Sequence, residues 1–153
     1  MTPCLHCSGY GRVAINHDVY RSYRTCPRCA GTGFQPGTEP ITAADTVYIA
    51  GPMTGLPGAN RSAFHAAERL LVTRFGCTVL NPANQPDGLS YCRYMIEALT
   101  LLDRASAIVL LPDSARSLGA KFEHAASGRD GKRVYHLTAD NAIVQEPAPE
   151  VIR

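Results

Sequence analysis

Short apolar runs alternate with stripes of apolar residues at helical spacing along most of the chain. The runs predict four strands, at 46–50, 77–80, 107–111 and 133–137. The stripes predict three helices, over 60–75, 90–104 and 117–128. In the first helix Phe64, Ala67 and Leu71 recur at three- and four-residue intervals, and Asn60 and Ser62 are candidate N-caps. Strands that alternate with helices indicate a parallel sheet in a three-layer, Rossmann-like α/β domain.

A cluster of chain breakers separates this pattern from a different N-terminal segment. The run Gln-Pro-Gly-Thr-Glu-Pro at 35–40 predicts a linker. We therefore divide the chain into a metal-binding segment at 1–35, a linker at 36–44, an α/β domain at 45–140 and a C-terminal tail at 141–153. With 153 residues, the chain has room for one ordinary domain and a small appendage.

The N-terminal segment contains a repeated CxxCxGxG motif. One copy begins at Cys4 and Cys7, and the second begins at Cys26 and Cys29. Two such pairs supply the four thiolates that Zn²⁺ binds tetrahedrally, and the glycines allow the tight turns around them. The alternatives are a redox pair or a disulfide framework. The sequence shows no signal peptide, so we expect a cytoplasmic protein, in which structural disulfides are rare. We predict one structural zinc ion and no organic cofactor, and we expect Cys77 and Cys92 to be buried small residues rather than ligands.

The repeat resembles the cysteine-rich zinc-binding region of DnaJ-type chaperones. The resemblance covers residues 4–33 and implies a zinc knuckle but no chaperone activity. Basic and aromatic residues accompany the motif, a mixture that is able to contact nucleic acid: Arg12, Arg21, Arg24, Arg28, Tyr10, Tyr20 and Tyr23. A solvated surface or a protein-docking face fits them equally well. The net charge of +2 does not by itself indicate a nucleic-acid partner, and no apolar run is long enough to cross a bilayer.

Two loops at the carboxyl ends of predicted strands are the candidate site, because ligands of open α/β sheets bind there. The loop at 51–58 is rich in glycine but has neither a Walker A nor a GxGxxG pattern. The loop at 114–123 contains serines that are able to cap the next helix and to present backbone N–H groups to an anion. Glu123 lies about one turn into that helix. Taken alone, it would be interpreted as a solvent-facing carboxylate.

The order of these motifs resembles the nucleoside 2-deoxyribosyltransferase-like superfamily, especially its small phage-type members and the 2′-deoxynucleoside 5′-phosphate N-hydrolases. The resemblance covers 46–137, and its most specific part is the Ser-x-Gly-x-x-x-Glu block from Ser117 to Glu123. It implies that Glu123 attacks the anomeric carbon of a deoxyribosyl group. It also implies that substrate contacts come from Tyr48, Gly51, Met53, Gly55, Asn81, Ser117 and Gly119, with the 5′-phosphate at Ser117 and Gly119. Arg61 and Arg116 are possible additional phosphate ligands. Members of the superfamily form dimers or larger assemblies, which implies a homo-oligomer.

The chain departs from the superfamily at the acid that serves the leaving base. The aspartate of the relatives corresponds to Glu97 or to Ala98, depending on the helix register, and Ser106 stands where relatives often have an acidic residue. We predict Glu97 as the acid, with Asp87, Asp103 and Asp113 as less favoured alternatives.

The sequence therefore favours an enzyme that cleaves or transfers the N-glycosidic bond of 2′-deoxynucleosides or their 5′-monophosphates, with hydrolysis preferred. The alternative is a non-catalytic nucleotide-binding module whose zinc segment contacts nucleic acid or a protein. A third interpretation makes the zinc segment a lid over the active site.

Overall fold

A computed structural model of the chain describes residues 12–16, 21–25 and 39–146. The chain divides into two compact units between Pro40 and Ile41, inside the predicted linker, and the second unit ends at Glu146. The four cysteines predicted to bind zinc lie outside the described residues, as does the end of the predicted tail. In the described part of the chain, no helix is long and apolar enough to span a membrane.

The described part of the N-terminal unit is a β-hairpin that the hydrophobic pattern did not predict. Strand β1, Arg12–Asn16, pairs antiparallel with β2, Arg21–Thr25. Arg12 lies opposite Thr25, and Asn16 lies opposite Arg21. This pairing places the chain directly after the first CxxCxGxG motif beside the chain directly before the second.

The second unit is an α/β domain with a five-stranded sheet in the order β4-β3-β5-β6-β7. The strands are β3, Thr46–Ala50; β4, Thr78–Leu80; β5, Ala107–Leu110; β6, Arg133–Leu137; and β7, Ile143–Gln145. The helices are α1, Arg61–Phe75; α2, Tyr91–Asp103; and α3, Leu118–Arg129. The four strands and three helices expected in this domain are thus confirmed, with bounds that differ by at most one residue.

The sheet is mixed rather than wholly parallel. Strands β3 to β6 are parallel to their neighbours, but β7 pairs antiparallel with β6. Strand β7 lies in the segment that we interpreted as a tail, because three residues are too short a run to show a period. Its place in the sheet is fixed by pairing with β6. The Glu146 amide continues this pairing beyond β7 by donating a hydrogen bond of 2.8 Å to the Val134 carbonyl.

Helices cover both faces of the sheet, as a three-layer architecture requires. Val47 and Ile49 of β3 belong to the core cluster that includes Phe64 of α1. Tyr48, which points the opposite way, belongs to the cluster that includes Leu102 of α2 and residues of α3. Successive side chains of a strand alternate between faces, so one short strand supplies both cores.

The capping and cysteine predictions are partly confirmed. The side chain of Ser117 accepts a hydrogen bond from the Ala120 amide and caps α3. Asn60 occupies the N-cap of α1 in a left-handed conformation, but its side chain donates to the Pro52 carbonyl instead of capping the helix. Cys77 is buried as expected, whereas Cys92 is exposed on α2, so the prediction for Cys92 was wrong.

The amino-terminal edge of the sheet is held by a buried carboxylate. Asp45 accepts hydrogen bonds from the Thr42 amide and the Ser106 hydroxyl at 2.8 and 2.9 Å, and it pairs with Arg133. Burial by itself would raise the pKa of Asp45, but these partners together hold that pKa below its usual value. Ser106, noted above as a departure from the relatives, therefore has a structural role at the edge opposite the candidate site.

Candidate functional site

A cleft opens at the carboxyl end of β3, where the strand order reverses. The next strand along the chain, β4, lies on one side of β3, and the following strand, β5, lies on the other. In an open α/β sheet such a switch point leaves a crevice for ligands. Residues from the loop after β3, from α2 and from the beginning of α3 line the cleft.

Glu123 is the carboxylate of this cleft. Its side chain lies in the second turn of α3 and is only 4 % exposed. The hydroxyl of Tyr48, a fully buried residue of β3, donates a hydrogen bond of 2.6 Å to Glu123 Oε1. The two residues are 75 positions apart in sequence and meet because both occupy the same face of the sheet.

Burial determines the electrostatics of this pair. It raises the pKa of Glu123 to about 7, although the hydrogen bond from Tyr48 acts in the opposite direction. The pKa of Tyr48 lies well above its usual value because of burial and because of the neighbouring Glu123 charge. Tyr48 therefore remains a hydrogen-bond donor near neutral pH, while Glu123 exchanges between acid and carboxylate. A carboxyl group with this pKa is suited to proton transfer or to nucleophilic attack.

Replacing Glu123 by glutamine is expected to stabilise the fold at alkaline pH. The folded-state pKa of about 7 exceeds the ordinary value of 4.5, so wild type loses stability as the pH rises between these values. A shift of this size corresponds to on the order of 3 kcal/mol. Glutamine has no charge to bury, yet it still accepts the hydrogen bond from Tyr48. Urea unfolding of both proteins at pH 5 and pH 8.5 checks this; a gain that is equal at the two pH values contradicts it.

The beginning of α3 forms one wall of the cleft at the Ser-x-Gly block. Ser117 and Gly119 both line the cleft. A Cβ at Gly119 would approach Met95 Sδ at 3.3 Å, so this glycine lets α3 pass close to α2. Gly51 is also confined, because a Cβ there would lie 2.9 Å from the Cβ of Leu111. These glycines permit close packing around the cleft.

The predicted substrate ligands are only partly brought together. Four of them line the cleft with Glu123: Gly51, Met53, Ser117 and Gly119. Tyr48 contacts Glu123 through the hydrogen bond described above. Gly55 lies outside the lining and has a positive φ of 79°, typical of a glycine turn.

Three further predicted ligands contact other parts of the protein. Asn81 accepts a hydrogen bond from the Ala83 amide at 2.9 Å and donates one to Glu68 at 2.7 Å. Arg61 pairs with Asp87 at 2.6 Å, and the exposed Arg116 lies 3.8 Å from Asp113. Their roles toward a substrate stay predictions.

The predicted acid is not beside Glu123. Glu97 forms an ion pair of 3.0 Å with Arg93 on the same helix, its side chain is 43 % exposed, and it does not line the cleft. Ala98, the other possible counterpart of the missing aspartate, is fully buried in the core. Of the carboxylates in residues 39–146, Glu123 alone lines the cleft.

Sequence reasoning missed the contribution of α2. Tyr91, Tyr94 and Met95 line the cleft opposite α3. Together with the buried Ala98 they form a stripe at helical spacing. This stripe was available in the sequence, but its tyrosines were not considered as site residues. Within the described ranges no group of three His, Cys, Asp or Glu side chains is arranged to hold a metal ion.

Comparison with known proteins places the cleft within a recognised family. The chain has no significant match among curated proteins or among solved structures. Residues 45–136, which make up more than half of the chain and include β3 through most of β6, match a family described as "Domain of unknown function (DUF4406)". The matched range contains Tyr48, Tyr94 and Glu123, so the whole cleft lies within it. The chain belongs to the DUF4406 family.

Proposed function

We propose that the α/β domain cleaves the N-glycosidic bond of 2′-deoxynucleosides or their 5′-monophosphates, with Glu123 as the nucleophile. The observation that carries this proposal is the buried Glu123 carboxyl, held by Tyr48 at the open end of the sheet. Membership of the DUF4406 family, which is nucleoside 2-deoxyribosyltransferase-like, supports it.

The hydrogen bond from Tyr48 gives the two carboxylate oxygens of Glu123 different roles. Oε1 accepts this bond, which leaves Oε2 to attack C1′ of the sugar. As the new C1′–O bond forms, the C1′–N bond breaks and its electron pair passes to the base. Water then hydrolyses the glycosyl ester and restores the Glu123 carboxylate. If a second base attacks instead of water, the same ester gives transfer.

The cleft has a chemical character suited to a nucleotide. Tyr91 and Tyr94 offer aromatic surface, and the thioethers of Met53 and Met95 offer polarisable surface. Ser117 and the first turn of α3 lie at the same cleft, and the N-terminus of a helix favours an anion. We place the base against the tyrosines and the 5′-phosphate at Ser117 and Gly119.

A panel of nucleotides tests the proposal. We expect the protein to release free base from at least one deoxynucleoside 5′-monophosphate, and chromatography of the reaction mixture measures this release. The monophosphate should also bind at least tenfold more tightly than its nucleoside, because charge-assisted hydrogen bonds contribute about 1.5–3 kcal/mol each. The matched ribonucleotides serve as the comparison for sugar specificity. Equal affinity for nucleoside and monophosphate would exclude the phosphate assignment while leaving the glycosidase proposal in place.

A second candidate function is nucleotide binding without catalysis. The observation that favours it is the position of Glu97, which is paired with Arg93 instead of facing Glu123. Tight binding of a deoxynucleotide by wild type, with no base released after prolonged incubation, would establish this candidate in place of the first.

We also propose that Cys4, Cys7, Cys26 and Cys29 bind one structural zinc ion. The support from the described residues is the β1–β2 hairpin. Its pairing places Arg12, which directly follows the first motif, opposite Thr25, which directly precedes the second. Arg12 and Arg24 are exposed on this hairpin, and a nucleic-acid contact remains part of the proposal for the zinc segment.

A further inference from the structure

The proposed reaction requires help for the departing base, and this inference rests on that proposed function. A base that leaves C1′ takes up an electron pair, so a hydrogen-bond donor near it stabilises the transition state. Among the described residues, Glu123 is the sole carboxylate lining the cleft, and the nucleophile is not free to donate. Glu97 is occupied by Arg93. The donor must therefore be sought among the other polar groups of the cleft.

Tyr94 has a hydroxyl placed for this role. It lies on α2, opposite the Ser-x-Gly block, and lines the same cleft as Glu123. Its hydroxyl donates to Met53 Sδ at 2.7 Å. A thioether sulfur is a weak acceptor, so exchanging it for a nitrogen or oxygen atom of a base is favourable. The hydrogen bond to Met53 thus orients the Tyr94 hydroxyl in the cleft and is weak enough to be exchanged for one to the base.

The electrostatics of Tyr94 keep its hydroxyl protonated. Burial is the main cause that raises the pKa of Tyr94, the charge of Glu123 raises it further, and the positive charge of Arg61 offsets part of this rise. Such a group is a poor proton-transfer acid but a permanent hydrogen-bond donor near neutral pH.

We infer that Tyr94 donates a hydrogen bond to the departing base in place of a second carboxylate. The electron pair of the C1′–N bond passes to the base, and the Tyr94 hydroxyl stabilises the developing negative charge without giving up its proton. Water later attacks the Glu123 ester and releases one proton. That proton balances the charge of the base, so the sum is one water consumed, one sugar hydroxyl formed and one neutral base released.

A donor that does not transfer its proton has a measurable consequence. The rate should depend steeply on the acidity of the released base, because no strong acid neutralises the leaving group. Loss of the Tyr94 hydroxyl should harm poor leaving groups more than good ones. A tyrosine that only maintains the shape of the cleft would slow all substrates by the same factor.

The test compares Tyr94→Phe with Tyr135→Phe, which removes a hydroxyl from the core cluster on the other face of the sheet. The substrates are 5-fluoro-2′-deoxyuridine, 2′-deoxyuridine and thymidine 5′-monophosphates with the purine deoxynucleoside monophosphates, ranked by the acidity of the released base. We expect Tyr94→Phe to lower kcat about tenfold to a hundredfold for the poorest leaving bases and less for the best. Tyr135→Phe should match wild type. Glu97→Gln is included, and any effect that it has should not depend on the base.

The outcomes separate this inference from the proposed function. If wild type releases base and Tyr94→Phe slows every substrate equally, or none, Tyr94 is not the donor although the glycosidase stands. If Glu97→Gln instead shows the loss graded by leaving base, Glu97 is the acid and the inference is overturned. If wild type releases base from no substrate in the series, the proposed function fails and this inference fails with it.

Discussion

Glu123→Gln is expected to reduce base release by about a thousandfold or more while leaving substrate binding intact. Glutamine keeps the size and the hydrogen-bond acceptor that Tyr48 contacts at 2.6 Å, but its amide does not form the glycosyl ester. Single-turnover release of base and the dissociation constant of the monophosphate, measured on the same preparations, give the two quantities.

The pH dependence of wild type provides an independent check on the same residue. In the proposed reaction Glu123 attacks as a carboxylate, and burial raises its pKa to about 7, so kcat should rise as the pH increases through that value. A matched Asp130→Asn variant, at the exposed C-terminal end of α3, should retain both the rate and its pH profile. Base release by Glu123→Gln at the rate of wild type would show that Glu123 is not the nucleophile.

Removal of zinc is expected to unfold the N-terminal unit and leave the α/β domain folded. A zinc ion bound by four thiolates supplies folding free energy to a segment too small to bury a core, about 10–16 kcal/mol in zinc-finger peptides. The boundary between Pro40 and Ile41 separates this segment from a domain that has its own two core clusters. Metal analysis should find one zinc per chain, and chelation should make the first 35 residues sensitive to protease while the α/β domain resists.

Two cysteine variants control this experiment. Cys26→Ser removes one predicted ligand. It should lower the zinc content and make the N-terminal unit more sensitive to protease. Cys92→Ser changes an exposed cysteine on α2 and should leave both quantities unchanged. Zinc-free protein from a metal-replete preparation, or a disulfide between Cys4 and Cys7, would refute the zinc site.

Local patterns in the sequence predicted the elements of the α/β domain well. Strand β6 was predicted at its observed bounds, and the Ser117 cap appeared where the pattern placed it. These features depend on residues within a few positions of one another, so the sequence contains the full signal. Strand β7 escaped prediction because its three residues are defined by pairing with β6.

The site was predictable in part, because a motif resemblance supplied what the local patterns did not. The motif resemblance identified Glu123 and the Ser-x-Gly block, and the structure places these residues together in one cleft. The resemblance could not reveal that Glu97 would pair with Arg93 one turn away on α2. Which face of a helix is directed toward a cleft depends on how the helix packs in the folded protein. Asn81 shows the same limit, because its partners Glu68 and His65 belong to α1.

The sequence by itself determined the order of strands β3 to β6 and of the three helices, and it located the linker after the cysteine-rich segment. Tertiary structure alone decided that Tyr48 would bind Glu123, that Tyr94 would enter the cleft and that Glu97 would lie outside it. The physical reason is distance along the chain. Helical and strand periods are set by neighbours, whereas burial of Glu123, and with it the rise of its pKa to about 7, requires β3, α2 and α3 to pack around it.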